Sequence, residues 1–342
     1  MDSPGWNRQL QGLSLVKKTI RLGVLGCGQQ VREVHLPILS RMKAVQVCAL
    51  GDSNPAALIA CASLAPKALH FSSLESLLAH PQLDAVLVAS PSADHARHAV
   101  AILEAGKALY LEKPMASSLG EARRILDAAK LHTQPAMMGF NYRFHPLVQI
   151  AKDQLRGQKI VEVRSVFSTA SRPLPRWKQH RATGGGALLD FGAHHLDLLS
   201  YILDQPIAAV QATIASQRSE HDTATLEIHF ANGIRASGFY SLCATGQDSI
   251  EIQSASRSIR IERSRPLDFP VSPLARFIRY QFDRIRSPWR EVSFRLSLAA
   301  WCNSIQIGSI PPVTLHDGFN TMRAIHAAES SALSGHIVQL DP

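Results

Sequence analysis

The sequence predicts an α/β protein in two parts: a doubly wound parallel sheet, then an α/β unit with a largely antiparallel open sheet. Three observations carry that expectation. Through the first 140 residues, short β-branched apolar runs alternate with helical patterns, the rhythm of a parallel sheet covered on both faces. Beyond residue 140 the runs become period-two alternations, which bury one face of a sheet and leave the other open. The chain has 342 residues, enough for two parts that each bury a core.

The elements follow in order. T-I-R-L-G-V-L-G-C-G reads as a first strand entering a glycine turn, V-Q-V-C-A-L-G-D as a second, and L-D-A-V-L-V-A-S-P as a later one that Pro91 ends. A-L-Y-L-E-K-P is stopped by Pro114, and Q-P-A-M-M-G-F closes the series. Between them R-E-V-H-L-P-I-L-S-R-M, A-D-H-A-R-H-A-V-A-I-L-E-A-G and S-L-G-E-A-R-R-I-L-D-A-A-K read as helices, the second ending at Gly106. H-P-L-V-Q-I-A-K-D-Q-L opens the second part as a helix with Pro146 near its start. Five alternating stretches follow, and T-L-E-I-H-F and I-R-A-S-G-F are joined by Ala231-Asn232-Gly233, a hairpin signal.

Composition narrows the class. With 46% hydrophobic and 18% charged residues the chain is globular, not disordered. No apolar run approaches the roughly 20 residues that span a bilayer. The first eighteen residues lack the apolar core of a secretory signal, so a loose leader and a cytoplasmic protein are expected. The five cysteines are scattered without a C-x-x-C pair, so neither a disulfide framework nor a cysteine zinc site is indicated.

A net charge of +9 suggests anionic ligands or surfaces. Ten arginines and no lysine fall between Arg257 and Arg295. They read as a solvated or subunit-contacting surface, or as a site for a phosphate-bearing substrate. Nucleic acid is the weaker reading, because no binding motif accompanies the charge.

The first strand runs into Gly26-Cys27-Gly28-Gln29-Gln30-Val31. Two glycines there permit a tight turn and close approach of backbone to a pyrophosphate at a helix start, the dinucleotide turn of a Rossmann domain. Gly26, Gly28, Gln29 and Gln30 are therefore cofactor candidates, although Val31 replaces the third glycine of the fingerprint. The next strand ends about 20 residues on, at Asp52, where a carboxylate accepts ribose hydroxyls. It also repels a 2′-phosphate, which favours NAD over NADP. The expected division is a leader at 1–18, an NAD(P)-binding Rossmann domain at 19–140, and a substrate-binding and oligomerisation domain at 141–342.

Four stretches in this order carry a family likeness: G-V-L-G-C-G (23–28), A-G-K-A-L-Y-L-E-K-P (105–114), G-F-N-Y-R-F (139–144) and G-G-G-A-L-L-D-F-G-A-H-H-L-D (184–197). The chain resembles the glucose–fructose oxidoreductase and inositol dehydrogenase (Gfo/Idh/MocA) family of NAD(P)-dependent sugar dehydrogenases. The resemblance implies a Rossmann domain, an α/β domain whose open sheet makes homodimer or homotetramer contacts, and a sugar or polyol held between them. It implies that Lys113 is the catalytic-site lysine and that Asp190 and His194 handle the reacting hydroxyl. It places Ser90, Pro91 and His95 along the cofactor, with Glu112 and Lys113 beside it. Ser92 stands where many members have asparagine.

The chemistry suits these residue types. Oxidising a secondary alcohol needs a base whose pKa lies near working pH, which histidine supplies, and an ammonium group stabilises developing alkoxide charge. On a helix, residues 190, 194 and 197 share a face, while His195 points roughly 100° away and reads as a packed core histidine. Asp190, His194 and Asp197 could ligate a metal, but no H-E-x-x-H motif appears, and no metal is expected. Asn141 and Arg143 enter the cleft as substrate candidates, or Arg143 braces the domain junction. Trp177 covers the nicotinamide, stacks on a sugar, or packs in a core. The leading expectation is an NAD-dependent dehydrogenase acting on a carbohydrate or cyclitol. Its alternatives are an NAD-dependent elimination that recycles its cofactor, and a non-catalytic ligand sensor.

Overall fold

A computed structural model describes residues 18–170, 173–262 and 288–340. The leader up to residue 17 and the middle of the arginine-rich segment lie outside the described residues. The first sheet holds six parallel strands, β1 (Ile20–Leu25), β2 (Val45–Gly51), β3 (Leu69–Phe71), β4 (Ala85–Val88), β5 (Ala108–Leu111) and β6 (Ala136–Met138). Their order is β3-β2-β1-β4-β5-β6, so the chain reverses direction across the sheet between β1 and β4. That reversal opens a crevice at the carboxyl ends of the strands, where sheets of this kind bind ligands. β4 and β5 are buried along their whole length, as continuous apolar runs covered on both faces must be.

The second sheet comprises β7 (Ile160–Ser168), β8 (Ile207–Ala215), β9 (Thr223–Phe230), β10 (Arg235–Ser241), β11 (Gln247–Ser254), β12 (Ser258–Glu262) and β13 (Val338–Gln339). Its order is β12-β11-β7-β10-β9-β8-β13. All pairs are antiparallel except β7 with β10. The Ala231-Asn232-Gly233 turn joins β9 to β10 as the dipeptide signal requires, with Gly233 at φ +85°. β9 alternates buried and open residues, and helix Ala193–Leu203 and helix Leu315–Ser334 lie against the sheet's covered face.

Two helices depart from their expected form, both at the crevice. The segment after the glycine turn is a π turn, Val31–His35, which continues as a short helix, Leu36–Leu39. The Leu36 N–H donates to the Val31 carbonyl, five residues back, and Pro37 next to it has no N–H to offer. The run expected to be a helix over 188–199 likewise opens with a π turn, Leu188–Gly192, before helix Ala193–Leu203. Such turns recur at functional sites.

Candidate active site

The glycine turn is shaped by its neighbour. Gly26 has φ +92°, and a Cβ there would stand 2.5 Å from the Ser90 nitrogen. The β1 turn and the loop after β4 are therefore in backbone contact, and only glycine fits between them. At Gly28 a Cβ would meet nothing within 4 Å, so the turn's outer side is open. Gly28, Gln29 and Gln30 are exposed while Val31 is fully buried; the residue that breaks the glycine fingerprint serves the core. Asp52 accepts a 2.7 Å hydrogen bond from the Cys27 N–H and a 2.8 Å bond from the Asn54 N–H. A carboxylate has about four lone-pair sites, so capacity for ribose hydroxyls is left. An open glycine turn, a helix start and a strand-end carboxylate fit a nicotinamide dinucleotide.

The loop after β4 is held from behind. His95 is 1% exposed, with Nδ1 2.7 Å from the Pro114 carbonyl and Nε2 2.9 Å from the Ser90 carbonyl. Burial pushes this ring's pKa down, against the two carbonyls. His95 therefore sits between the Ser90–Pro91 loop and the turn after β5, and in its neutral form the single ring N–H donates to one of the two carbonyls. Ser90 Oγ bonds His98 Nδ1 at 2.8 Å, while Pro91 is exposed at the crevice.

Glu112 is likewise occupied. One carboxylate oxygen lies 2.8 Å from His35 Nε2 and the other accepts the Lys113 backbone N–H at 3.1 Å. His35, on the π turn after the glycines, is fully buried, and its Nδ1 has no partner. Glu112 thus links the glycine-turn helix to the Lys113 backbone. Nothing in the residue spacing signalled His35.

Lys113 follows β5, with a cis peptide to Pro114. Its Nζ donates to the Asp190 carbonyl at 2.9 Å and to Asp190 Oδ1 at 3.1 Å. Lys178, absent from the sequence expectations, donates to Asp190 Oδ2 at 2.8 Å. Its only sequence signal was its place beside Trp177. Burial works against the Asp190 charge, yet the two ammonium groups outweigh it and hold the carboxyl well below the usual carboxylate range. Burial also opposes the Lys113 charge, and Asp190 reverses the sign, raising that pKa. Lys113, Asp190, Lys178, Trp177, Pro114 and Leu242 line one cavity of about 60 Å³. Trp177 is therefore a wall of the cavity, not a core residue.

His194 is 7% exposed and stacks on Tyr142, with ring centroids 4.0 Å apart and planes 19° apart. His195 is buried against β7, bonded to Ser165 Oγ at 2.8 Å and Asp248 Oδ1 at 3.1 Å. Both rings are buried, one against an aromatic ring and the other against polar groups of the second sheet.

Two substrate candidates are engaged by other side chains. Arg143 makes a bidentate pair with Asp197, at 2.9 and 2.6 Å, and reaches Asp317 at 3.0 Å. Its Nε and Nη2 groups are engaged by carboxylates from two helices, one buried (Asp197) and one partly exposed (Asp317), an arrangement that suits the brace. Asn141 is 1% exposed and donates to Ser293 Oγ at 2.8 Å. Among the described residues no group of three or more His, Cys, Asp or Glu could hold a metal.

A family model described as an oxidoreductase family with an NAD-binding Rossmann fold (GFO_IDH_MocA) matches residues 20–140, and one for the GFO/IDH/MocA C-terminal domain matches residues 148–260. The chain belongs to the Gfo/Idh/MocA oxidoreductase family. This Gfo/Idh/MocA chain is 27% identical over 339 residues to an uncharacterised oxidoreductase, YrbE, of Bacillus subtilis, covering 95% of this chain and 97% of that one. It is 26% identical to an inositol 2-dehydrogenase of Rhizobium meliloti, over 74% of this chain and 79% of the relative. Its fold matches that of the WlbA dehydrogenase of Bordetella pertussis, solved with NADH and UDP-GlcNAcA. That match has a TM-score of 0.81 at 22% identity, over 95% of this chain and all of the other. Among the described residues no helix is long and apolar enough to cross a membrane.

Proposed function

We propose that the chain is an NAD-dependent dehydrogenase that oxidises a secondary hydroxyl of a sugar, cyclitol or sugar derivative. The observation that carries this reading is the Lys113–Asp190–Lys178 cluster in a cavity at the carboxyl end of β5, on the side of the sheet where the glycine turn opens. A bound nicotinamide dinucleotide supplies the hydride acceptor. Lys113 donates to the reacting oxygen and stabilises alkoxide charge as it develops. Asp190 stays ionised and orients both lysines. His194, four residues on and held flat by Tyr142, takes the hydroxyl proton. Asp52 supports NAD over NADP through charge repulsion. The resemblance supports a cytoplasmic homodimer or homotetramer, which size-exclusion chromatography with light scattering checks.

The test is NADH absorbance with free sugars, inositols and sugar derivatives, each paired with NAD and with NADP. Lys113→Ala should lower kcat by about 100-fold or more, the scale of removing one electrostatic stabiliser, with an unchanged circular dichroism spectrum. Unaltered turnover in that variant overturns the assignment.

A further inference from the structure

Ser90 follows the carboxyl end of β4, beside the point between β1 and β4 where the chain reverses across the sheet and where such sheets bind dinucleotides. A Cβ at Gly26 would stand 2.5 Å from the Ser90 nitrogen, so Ser90 abuts the glycine turn. Its side chain is half-buried, and its Oγ lies 2.8 Å from His98 Nδ1. In such a pair either group can be the donor. The neighbours of His98 decide which one is.

His98 lies on helix His95–Glu104 and is 6% exposed. Its Nε2 is 3.0 Å from Arg97 Nη2. A guanidinium has donors and no acceptor, so Nε2 accepts and carries no proton. Asp94, 3.3 Å from the same Nη2, and Glu75, 3.8 Å from Nη1, hold the guanidinium over that edge of the ring. With one nitrogen bare the imidazole is neutral, and its single proton sits on Nδ1. Burial and the Arg97 charge push the His98 pKa down to about 4, in keeping with a neutral ring. The Nδ1–H group therefore donates to Ser90 Oγ.

The serine's own proton follows from this. A hydroxyl hydrogen rotates to suit its partners, and the His98 donor removes the orientation in which it would face the ring. Among the described residues no other hydrogen bond engages the Ser90 hydroxyl, so its O–H is left to donate elsewhere. A dinucleotide presents acceptor oxygens on its phosphates and riboses, and a donor already oriented loses less freedom on binding. Resting on the dinucleotide reading above, we propose that His98 is a positioning residue for the cofactor. It fixes the Ser90 hydroxyl as a donor, and that hydroxyl hydrogen-bonds an oxygen of the bound NAD. Arg97 acts one step further back, by selecting the His98 tautomer.

The test is a double-mutant cycle on NAD affinity, measured by calorimetric titration. Ser90→Ala removes the donor and should weaken NAD about fivefold, the scale of one lost hydrogen bond. His98→Phe keeps a ring but cannot donate, and should weaken NAD about threefold through the freed hydroxyl. Added to Ser90→Ala, it should weaken NAD no further. His98→Asn, whose amide nitrogen stands in for Nδ1–H, should restore affinity to within about twofold of wild type. Additive losses, full affinity in either single variant, or His98→Asn no better than His98→Phe each overturn the proposal. Should His98→Phe fail to fold, proton–nitrogen NMR spectra of histidine-labelled wild type still report the tautomer. An Nδ1–H ring at neutral pH supports the relay, and an Nε2–H ring overturns it. If NAD binds but no sugar yields NADH, the dehydrogenase reading falls while the cycle still decides the Ser90 contact. If wild type binds neither NAD nor NADP, both fall.

Discussion

Asp190 sits between two lysines, and that placement decides what each polar residue near it can do. Its folded pKa is depressed, so the stability from its charge is present above the unfolded value of about 3.9 and lost only as pH falls through the still lower folded value. Between pH 5 and pH 9 Asp190 therefore does not titrate and cannot give the acid limb of a rate profile. If His194 is the base, turnover depends on its ring directly. His194→Asn should cost about 10²–10⁴ in kcat; turnover that survives in the variant assigns the base elsewhere. Glu112 yields a second residue-scale expectation. It accepts two N–H groups, from His35 and from the Lys113 backbone, and His35 Nδ1 has no alternative partner. Glu112→Gln keeps the shape but sets an amide NH₂ against one of those donors. The loss should be about 1–3 kcal/mol in urea unfolding, the cost of a buried unsatisfied group.

Whole elements were legible where the chain's chemistry is local. Gly26 and Gly28, the Gly106 helix end at φ +66° and Pro146 at the first turn of helix Pro146–Leu155 follow from backbone rules that a sequence displays directly. The two π turns were not legible, because apolar periodicity does not record a hydrogen bond that steps back five residues instead of four. Nor were Lys178 and His35, whose partners lie 12 and 77 positions away. The glycine turn permits a paired test at this scale. Gly26→Ala places a Cβ 2.5 Å from a backbone nitrogen at positive φ, so it should lower stability by more than the roughly 1–2 kcal/mol of a left-handed residue and also weaken NAD binding. Gly28→Ala meets nothing within 4 Å and should leave the melting temperature nearly unchanged, yet weaken NAD binding by filling the pyrophosphate's approach. Equal NAD affinity in wild type and Gly28→Ala, read by fluorescence titration, would falsify the cradle.

At the scale of the molecule, the site depends on how the first sheet's last turn is fixed to the helices under the second sheet. Arg143, on the turn Asn141–Phe144, clamps Asp197 of helix Ala193–Leu203 and Asp317 of helix Leu315–Ser334. Tyr142 on the same turn carries the His194 stack, so this ion cluster sets the distance between the nucleotide sheet and the proposed base. A second clamp joins Arg181 to Glu329 and to the Ser117 carbonyl, 2.7 Å away, and holds the loop that carries Trp177 and Lys178. Burial opposes the Arg143 charge, but the two carboxylates overcome it and keep the guanidinium ionised. Burial already pushes the Asp197 carboxyl up to about 6 against the pull of Arg143, so removing Arg143 alone leaves this 2% exposed group without its cation and forces it to take up a proton, at a cost of about 3–5 kcal/mol. Arg143→Met should therefore lower the melting temperature by several degrees. The double variant Arg143→Met/Asp197→Leu removes the buried carboxyl as well, and replacing a buried pair by apolar groups is often neutral. Recovery of the melting temperature without recovery of kcat is the expected outcome, because packing can be restored while the turn beneath His194 loses its anchor. If the single variant melts like wild type and raises only the KM for sugar, Arg143 is a substrate contact after all.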